Sequence, residues 1–289
     1  MHHRIVSILH LFKQDPSQLL DRPAIIAICL SVGHQWRTCF FDPVNTIHIF
    51  MIQIFHENTA ITHLPHLAGK AFSAAAYCLA RSRLPLEVFP RLVRSVADSL
   101  LTATGDTGRW LGHRVFVVDG SAFSMPDTPE LQAQFGQTTA QRAGCGFPIA
   151  HILALFHVGT GMLLEVLTGP LYTHDRADVT RLHPLLGLGD VLLGDRGFCS
   201  FAHLALLVER GVQGVFRMHQ RQIGDFTPNR AHRRPGEKKA PKGVPSSLWV
   251  RCLGVTDQVV AWLKPNSCPE WMTAEQDASV PEEVMVREL

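Results

Sequence analysis

The chain has 289 residues, of which 46% are hydrophobic and 18% charged, and it carries a formal net charge of +2. Such a length buries a sizeable core in one large domain or two ordinary ones, and such a balance excludes a disordered or membrane-embedded chain. The longest apolar stretch, Ala24 to Leu30, falls far below the roughly 18 residues of a membrane span and has no small-residue cleavage pattern, so a cytoplasmic protein with no membrane partner is expected.

Residues 1–110 read as helical. Val44, Ile47, Met51, Ile54 and Phe55 recur at helical spacing behind Asp42 as cap and Pro43 as first-turn residue. An Ala-rich helix is expected over Lys70 to Arg83, closed by Pro85, and another over Leu86 to Leu101. The region is therefore a small helical bundle. Its His34, Arg37, His63, His66, Arg81, Arg83, Arg91 and Arg94 form either a face toward DNA or a solvated surface.

From Arg114 the period changes to that of strands. Val115 to Val118, Ile149 to Val158 and Met162 to Leu167 are expected strands, the last two joined through Gly159-Thr160-Gly161. A helix over His174 to Leu186, broken or ended by Pro184, precedes the short buried strand Val191 to Gly194. A helix over Phe201 to Arg210 stops at Gly211, and Val212 to Met218 is a fifth strand. Three strands in a meander followed by crossover helices give a mixed α/β or α+β sheet with helices against it.

His219 to Gly243 breaks this pattern with seven Lys or Arg against two acids, and three prolines with three glycines make it a flexible basic loop. Arg221, Arg230, Arg233, Arg234, Lys238, Lys239 and Lys242 are its candidate DNA contacts, neutralising phosphates without reading sequence; a solvated connection is the other reading. Strand-like runs follow over Leu248 to Leu253 and Gln258 to Leu263, before a tail with six acidic and two basic residues from Lys264 on.

The chemistry is concentrated in two acids. Val115-Phe-Val-Val-Asp119-Gly-Ser and Val191-Leu-Leu-Gly-Asp195-Arg-Gly-Phe198 each run an apolar strand into an aspartate followed by small turn residues. Either acid alone is ordinary turn chemistry. As a pair on adjacent strands they are ligands for Mg²⁺ or Mn²⁺, hard ions that take carboxylate oxygens and keep waters. A pair of such ions about 3.5 to 4 Å apart activates a nucleophile and stabilises the leaving oxygen in phosphodiester cleavage, and usually needs a third carboxylate. Arg196 either orients phosphate or pairs with Asp195.

VFVVDGSAFSMPDTPE (115 to 130) and VLLGDRGFCSF (191 to 201) resemble the two aspartate motifs of IS4-family insertion-sequence transposases, and the likeness extends to HIFMIQIFHENTAITHL (48 to 64) and ARSRLPLEVFPRLVRSV (80 to 96). The resemblance implies an RNase H-like DDE core over 111–218 behind a helical, DNA-binding region over 1–110, with a partial β-rich insertion over 219–289. It makes Asp119 and Asp195 the first two catalytic acids and metal ligands. It implies a Mg²⁺- or Mn²⁺-dependent transposase that cleaves and transfers strands at transposon ends, with transposon-end and target double-stranded DNA as partners and a homodimer in the synaptic complex.

The family's third acid is a glutamate within a Tyr, Arg, Glu and Lys signature. No tyrosine follows Tyr172, and Glu282, Glu283 and Glu288 lack the Arg and Lys companions, so the chain is expected to be truncated before that acid and to leave apolar sheet surface uncovered. The alternative function is then an inactive DNA-binding remnant or a competitor of the full-length enzyme.

Other chemistries are weaker. There is no Gly-x-Ser-x-Gly, no Walker A loop and no HExxH; Gly187-Leu-Gly189 lacks the third glycine of a dinucleotide fingerprint. The seven cysteines form no CxxC pair and are read as reduced thiols.

Overall fold

The structure is a computed structural model that describes residues 17, 20–105, 108–138, 142, 146–171, 175–236 and 243–289. The chain forms two compact units, 1–105 and 106–289.

The first unit is helical: α1 Arg22–Ser31, α2 Pro43–Phe55, α3 Leu64–Leu67, α4 Ala74–Ser82 and α5 Val88–Thr104. Asp42 accepts from the Asn45 N–H at 2.8 Å with Pro43 behind it, the cap and first-turn pair expected from sequence. α4 starts later than expected because Ser73 caps it, its hydroxyl accepting from the Ala76 N–H. α5 runs on to Gly105, whose φ of 51° ends it. α1, α2 and α5 close over Ile25, Cys29, Val44, Ile47, Val88 and Leu92. Gln53 Oε1 accepts from Tyr77 Oη at 3.0 Å and Arg81 Nη1 at 3.1 Å, and the Arg81 guanidinium lies 4.6 Å from the Phe50 ring centroid. Arg81 therefore serves the packing of this unit, whereas Arg37 and Arg83 are exposed.

The second unit is built on a five-stranded sheet in the order β3-β2-β1-β4-β5. Its strands are β1 Val115–Ser124, β2 Ile149–His157, β3 Met162–Pro170, β4 Val191–Gly194 and β5 Gln213–Phe216. β3, β2 and β1 are antiparallel neighbours, while β1, β4 and β5 are parallel, which is the RNase H-like mixed sheet that the motifs led us to expect. β1 does not end at Val118. Its pairing with β4 stops at Val117↔Leu193, but its pairing with β2 continues through Asp119↔Ala154 to Ser124↔Ile149. Asp119 thus stands where β1 leaves one neighbour and keeps the other. The short α6, Pro129–Phe135, follows, capped by Thr128.

The expected helix before β4 is split into α7 Asp175–Val179 and a 3-10 segment Thr180–Leu185. Pro184 has no N–H to sustain an α-helical ladder there. His174 lies outside the described residues.

One face of the sheet is closed, while the other is buried at Val115 and Val191 and more exposed beyond them. Phe116, Val118, Leu155, Leu192 and, in register, Gly214 and Phe216 share the closed face. There α8, Phe201–Glu209, presses Leu204 and Leu207 onto Gly214, where a Cβ would lie 2.9 and 3.3 Å from their side chains. The opposite face carries Val117, Ala154, Phe156 and Leu193 half-buried and Val215 at 56% exposure.

α8 is apolar nearly all round, with Phe201, Ala202, His203, Leu204, Ala205 and Leu207 buried. A helix of that kind must be covered on more than one side. The second cover is a three-stranded antiparallel sheet, β6 Ser247–Gly254, β7 Asp257–Leu263 and β8 Glu283–Glu288, whose Val260, Trp262 and Val284 pack with Phe201, Ala202 and Ala205. Strands β6 and β7 match the expected runs. β8 and the preceding α9, Ala274–Ser279 with its Thr273–Gln276 capping box, were not expected.

Candidate active site

The two acids follow the same strand pair. Parallel β1 and β4 pair up to Val117↔Leu193, and Asp119 and Asp195 each lie two residues beyond that last pair, Asp119 still in β1 and Asp195 in the turn after β4. On the next strand Gly194 pairs with Phe216, so Arg217, like Asp195, lies one residue beyond that pair, and its N–H donates to the Gly194 carbonyl at 3.3 Å. Arg217 is exposed. Sequence reasoning missed it because only the β4–β5 register, and no local motif, sets it beside Asp195.

Each carboxylate is pinned by one oxygen. Asp119 Oδ1 accepts from the Gly120 N–H at 2.9 Å, and Asp195 Oδ1 accepts from the Gly197 N–H at 2.7 Å. The second oxygen of each has no hydrogen-bond partner among the described residues, and both aspartates are exposed. Arg196 turns to Gln220 Oε1, 3.3 Å away, rather than pairing with Asp195. Glycine at position 197 leaves the carboxylate where it is: a Cβ there would sit 2.9 Å from Asp195 Oδ1.

Two carboxylates, each with a free oxygen and no arginine bound between them, fit part of a coordination shell for Mg²⁺ or Mn²⁺, the remainder being water or phosphate oxygen. Among the described residues no group of three or more His, Cys, Asp or Glu side chains gathers into a cage.

The basic segment divides. Arg221, Arg233 and Arg234 are exposed, and Arg233 and Arg234 border a cavity of about 490 Å³ with Phe201, Gln222 and Asn266. Arg230 is different. At 9% exposure it donates from Nε to the Asp225 carbonyl at 2.7 Å, from Nη1 to the Ser247 carbonyl at 2.6 Å and from Nη2 to Ser247 Oγ at 2.8 Å. Its guanidinium ties the segment to β6 and is not presented to a partner, which corrects the expectation that it contacts DNA. Lys238, Lys239 and Lys242 lie outside the described residues.

Residues 110–278 match the protein family described as Transposase DDE domain. The chain belongs to that family. Its transposase DDE domain thus embraces the five-stranded sheet, both aspartates and most of the second sheet. A curated relative, the putative transposase InsZ of Escherichia coli (strain K12), is 28% identical over 106 residues, 35% of this chain and 34% of the relative, so the chain spans about a third of the length of the curated relative it matches. Among solved structures, the piggyBac transposase synaptic complex with hairpin DNA superposes with a TM-score of 0.39 at 14% identity, over 89% of this chain and 58% of that one. The Mos1 transposase paired-end complex with left transposon end gives 0.25 at 11% identity, over 63% and 60%. Among the described residues no helix of this transposase-family chain is long and apolar enough to cross a membrane.

Proposed function

We propose that the protein is a cytoplasmic DNA transposase of a bacterial insertion sequence of the IS4 type, whose DDE domain holds Mg²⁺ or Mn²⁺ on Asp119 and Asp195. The observation that supports the reading is that both acids lie two residues beyond the last pair of the parallel strands β1 and β4, each with one carboxylate oxygen unpartnered among the described residues. The bound ion supplies activation of a water or a 3′-hydroxyl and charge stabilisation at the phosphate.

The protein's own part is positional. The Gly120 and Gly197 amides fix one oxygen of each acid, so that the other would be free to bind the ion. Arg217, one residue beyond the Gly194↔Phe216 pair, neutralises a strand phosphate. Arg221, Arg233 and Arg234, with Lys238, Lys239 and Lys242, hold the DNA backbone of the transposon end or target, and exposed residues of the helical unit bind DNA as well. The synaptic state is a homodimer.

The test is titration of Mn²⁺ into the purified protein. Saturable binding removed by Asp119→Ala and by Asp195→Ala is the expected result; binding indifferent to both substitutions rejects the metal assignment.

A second reading is favoured by the absence of a three-ligand group among the described residues. The chain would bind DNA without cleaving it, acting as a competitor or remnant. Retarded migration of linear DNA with no nicking in Mg²⁺ is its signature; nicking lost in Asp119→Ala restores the first reading.

A further inference from the structure

The turn that carries Asp195 is anchored from below. After Asp195 the chain makes two consecutive turns, with Phe198 N–H on the Asp195 carbonyl and Cys199 N–H on the Arg196 carbonyl, both at 3.3 Å. The Phe198 ring is buried, and the Phe198 carbonyl accepts from Nδ1 of His203, 2.8 Å away. His203 lies on α8 with no exposed surface, its ring 5.0 Å from that of Phe216. Its Nε2 meets Nε2 of His183, from the 3-10 segment, at 3.0 Å.

The proton positions follow from the partners. A carbonyl only accepts, so His203 carries its proton on Nδ1; its Nε2 is then the acceptor, and His183 must present an Nε2–H. Swapping the His203 tautomer would set two lone pairs, on Nδ1 and the carbonyl, against each other. Buried polar groups of this kind are costly to leave unmatched and hold a single geometry when matched.

We propose that His203, locked in one tautomer by His183, is a positioning residue for Asp195, clamping the Phe198 carbonyl and so fixing the turn in which the Gly197 amide holds the carboxylate. The inference rests on the reading of Asp195 as a metal ligand, but its geometric part stands apart from that reading. Groups one step behind metal ligands typically change affinity by about 10- to 100-fold when removed.

The experiment measures amide hydrogen exchange residue by residue, together with Mn²⁺ affinity, in wild type, His203→Leu and His203→Asn. Asparagine keeps an N–H near the place of Nδ1 while losing the bond to His183. In His203→Leu, exchange at Gly197 and Phe198 should rise at least about tenfold while the Leu155 amide in the central strands is unchanged, and Mn²⁺ affinity should fall about tenfold. His203→Asn should bring both within about threefold of wild type, a rescue that filling space alone would not produce.

Unchanged exchange at Gly197 in His203→Leu overturns the proposal, as does a parallel rise at Leu155, which reports general loosening. If His203→Leu does not fold, His183→Leu is read by the same criteria; it removes the tautomer lock together with the stacking of the two rings, whose centroids are 5.1 Å apart. Failure of the metal reading looks different: wild type then shows no Mn²⁺ binding that Asp195→Ala removes, while the exchange comparison still decides the role of His203.

Discussion

A methyl group at position 197 separates the stability of the site from its function. The Cβ would meet Asp195 Oδ1 at 2.9 Å, and the carboxylate, being the free end of an exposed side chain, can swing away. Gly197→Ala should therefore change folding stability by less than about 1 kcal/mol, as exposed substitutions do, yet weaken Mn²⁺ binding about tenfold. A melting curve and a Mn²⁺ titration on one sample check both halves. His183 gives a second prediction. Burial, reinforced by His203 and Arg210, lowers its pKa from 6.5 to about 3. A depressed folded pKa means that its contribution is intact above about pH 6.5 and is lost as the pH falls toward 3, because the unfolded chain takes the proton first. The thermal midpoint should consequently drop more between pH 7 and pH 4 in wild type than in His183→Gln, the difference excluding the carboxylates common to both proteins. At this scale the sequence was informative only where chemistry is local. Asp119 and Asp195 announce themselves by an apolar run followed by small turn residues, whereas Arg217 and His203 owe their places to register and to helix packing, and no neighbouring residue signals either.

Elements were legible where one period dominates. β4 occupies the four residues read from its apolar run, and α2 begins at the Asp42–Pro43 pair, because the cap and the fixed φ of proline act within a single turn. β1 was cut short at Val118 because polar residues follow. Its continuation to Ser124 depends on the β2 ladder, which no local pattern discloses. β8 was missed for the same reason: Glu283 to Glu288 shows no polar–apolar alternation, and the strand exists by pairing with β7, where its Glu288 carboxylate accepts from Gln258 and Trp262 across the sheet. The element that joins these parts is α8, covered by a sheet on either side. Gly214 lets it approach the larger one, since a Cβ there would lie 2.6 Å from the Phe216 ring and 2.9 Å from Leu204. Gly214→Ala should destabilise the protein by about 1–3 kcal/mol through overpacking. Denaturant unfolding checks this, and an unchanged midpoint would mean that α8 does not bear on β5 as closely as the structure has it.

For the whole molecule the net charge of +2 is too small to draw DNA by itself, so affinity has to come from where the charge is placed. Exposed Arg221, Arg233 and Arg234 lie on the same segment as Arg230, which is buried against Ser247. The two kinds of arginine should separate in the salt dependence of binding. Each neutralised phosphate contributes about −0.9 to the slope of log K against log salt on duplex DNA. Replacing Arg221, Arg233 and Arg234 together by alanine should make the slope shallower by up to about 2.7 without moving the thermal midpoint. Arg230→Lys should do the reverse. Lysine cannot reproduce three donors in a planar fork, so stability should fall by about 2 kcal/mol while the slope of the folded protein stays as in wild type. Fluorescence anisotropy of labelled duplex DNA between 50 and about 200 mM salt, the range over which such contacts are readily resolved, supplies both slopes. An unaltered slope in the triple variant would move the DNA contact off this segment, leaving the exposed Arg217 after β5 and Arg37 and Arg83 of the helical unit as the next cations to replace.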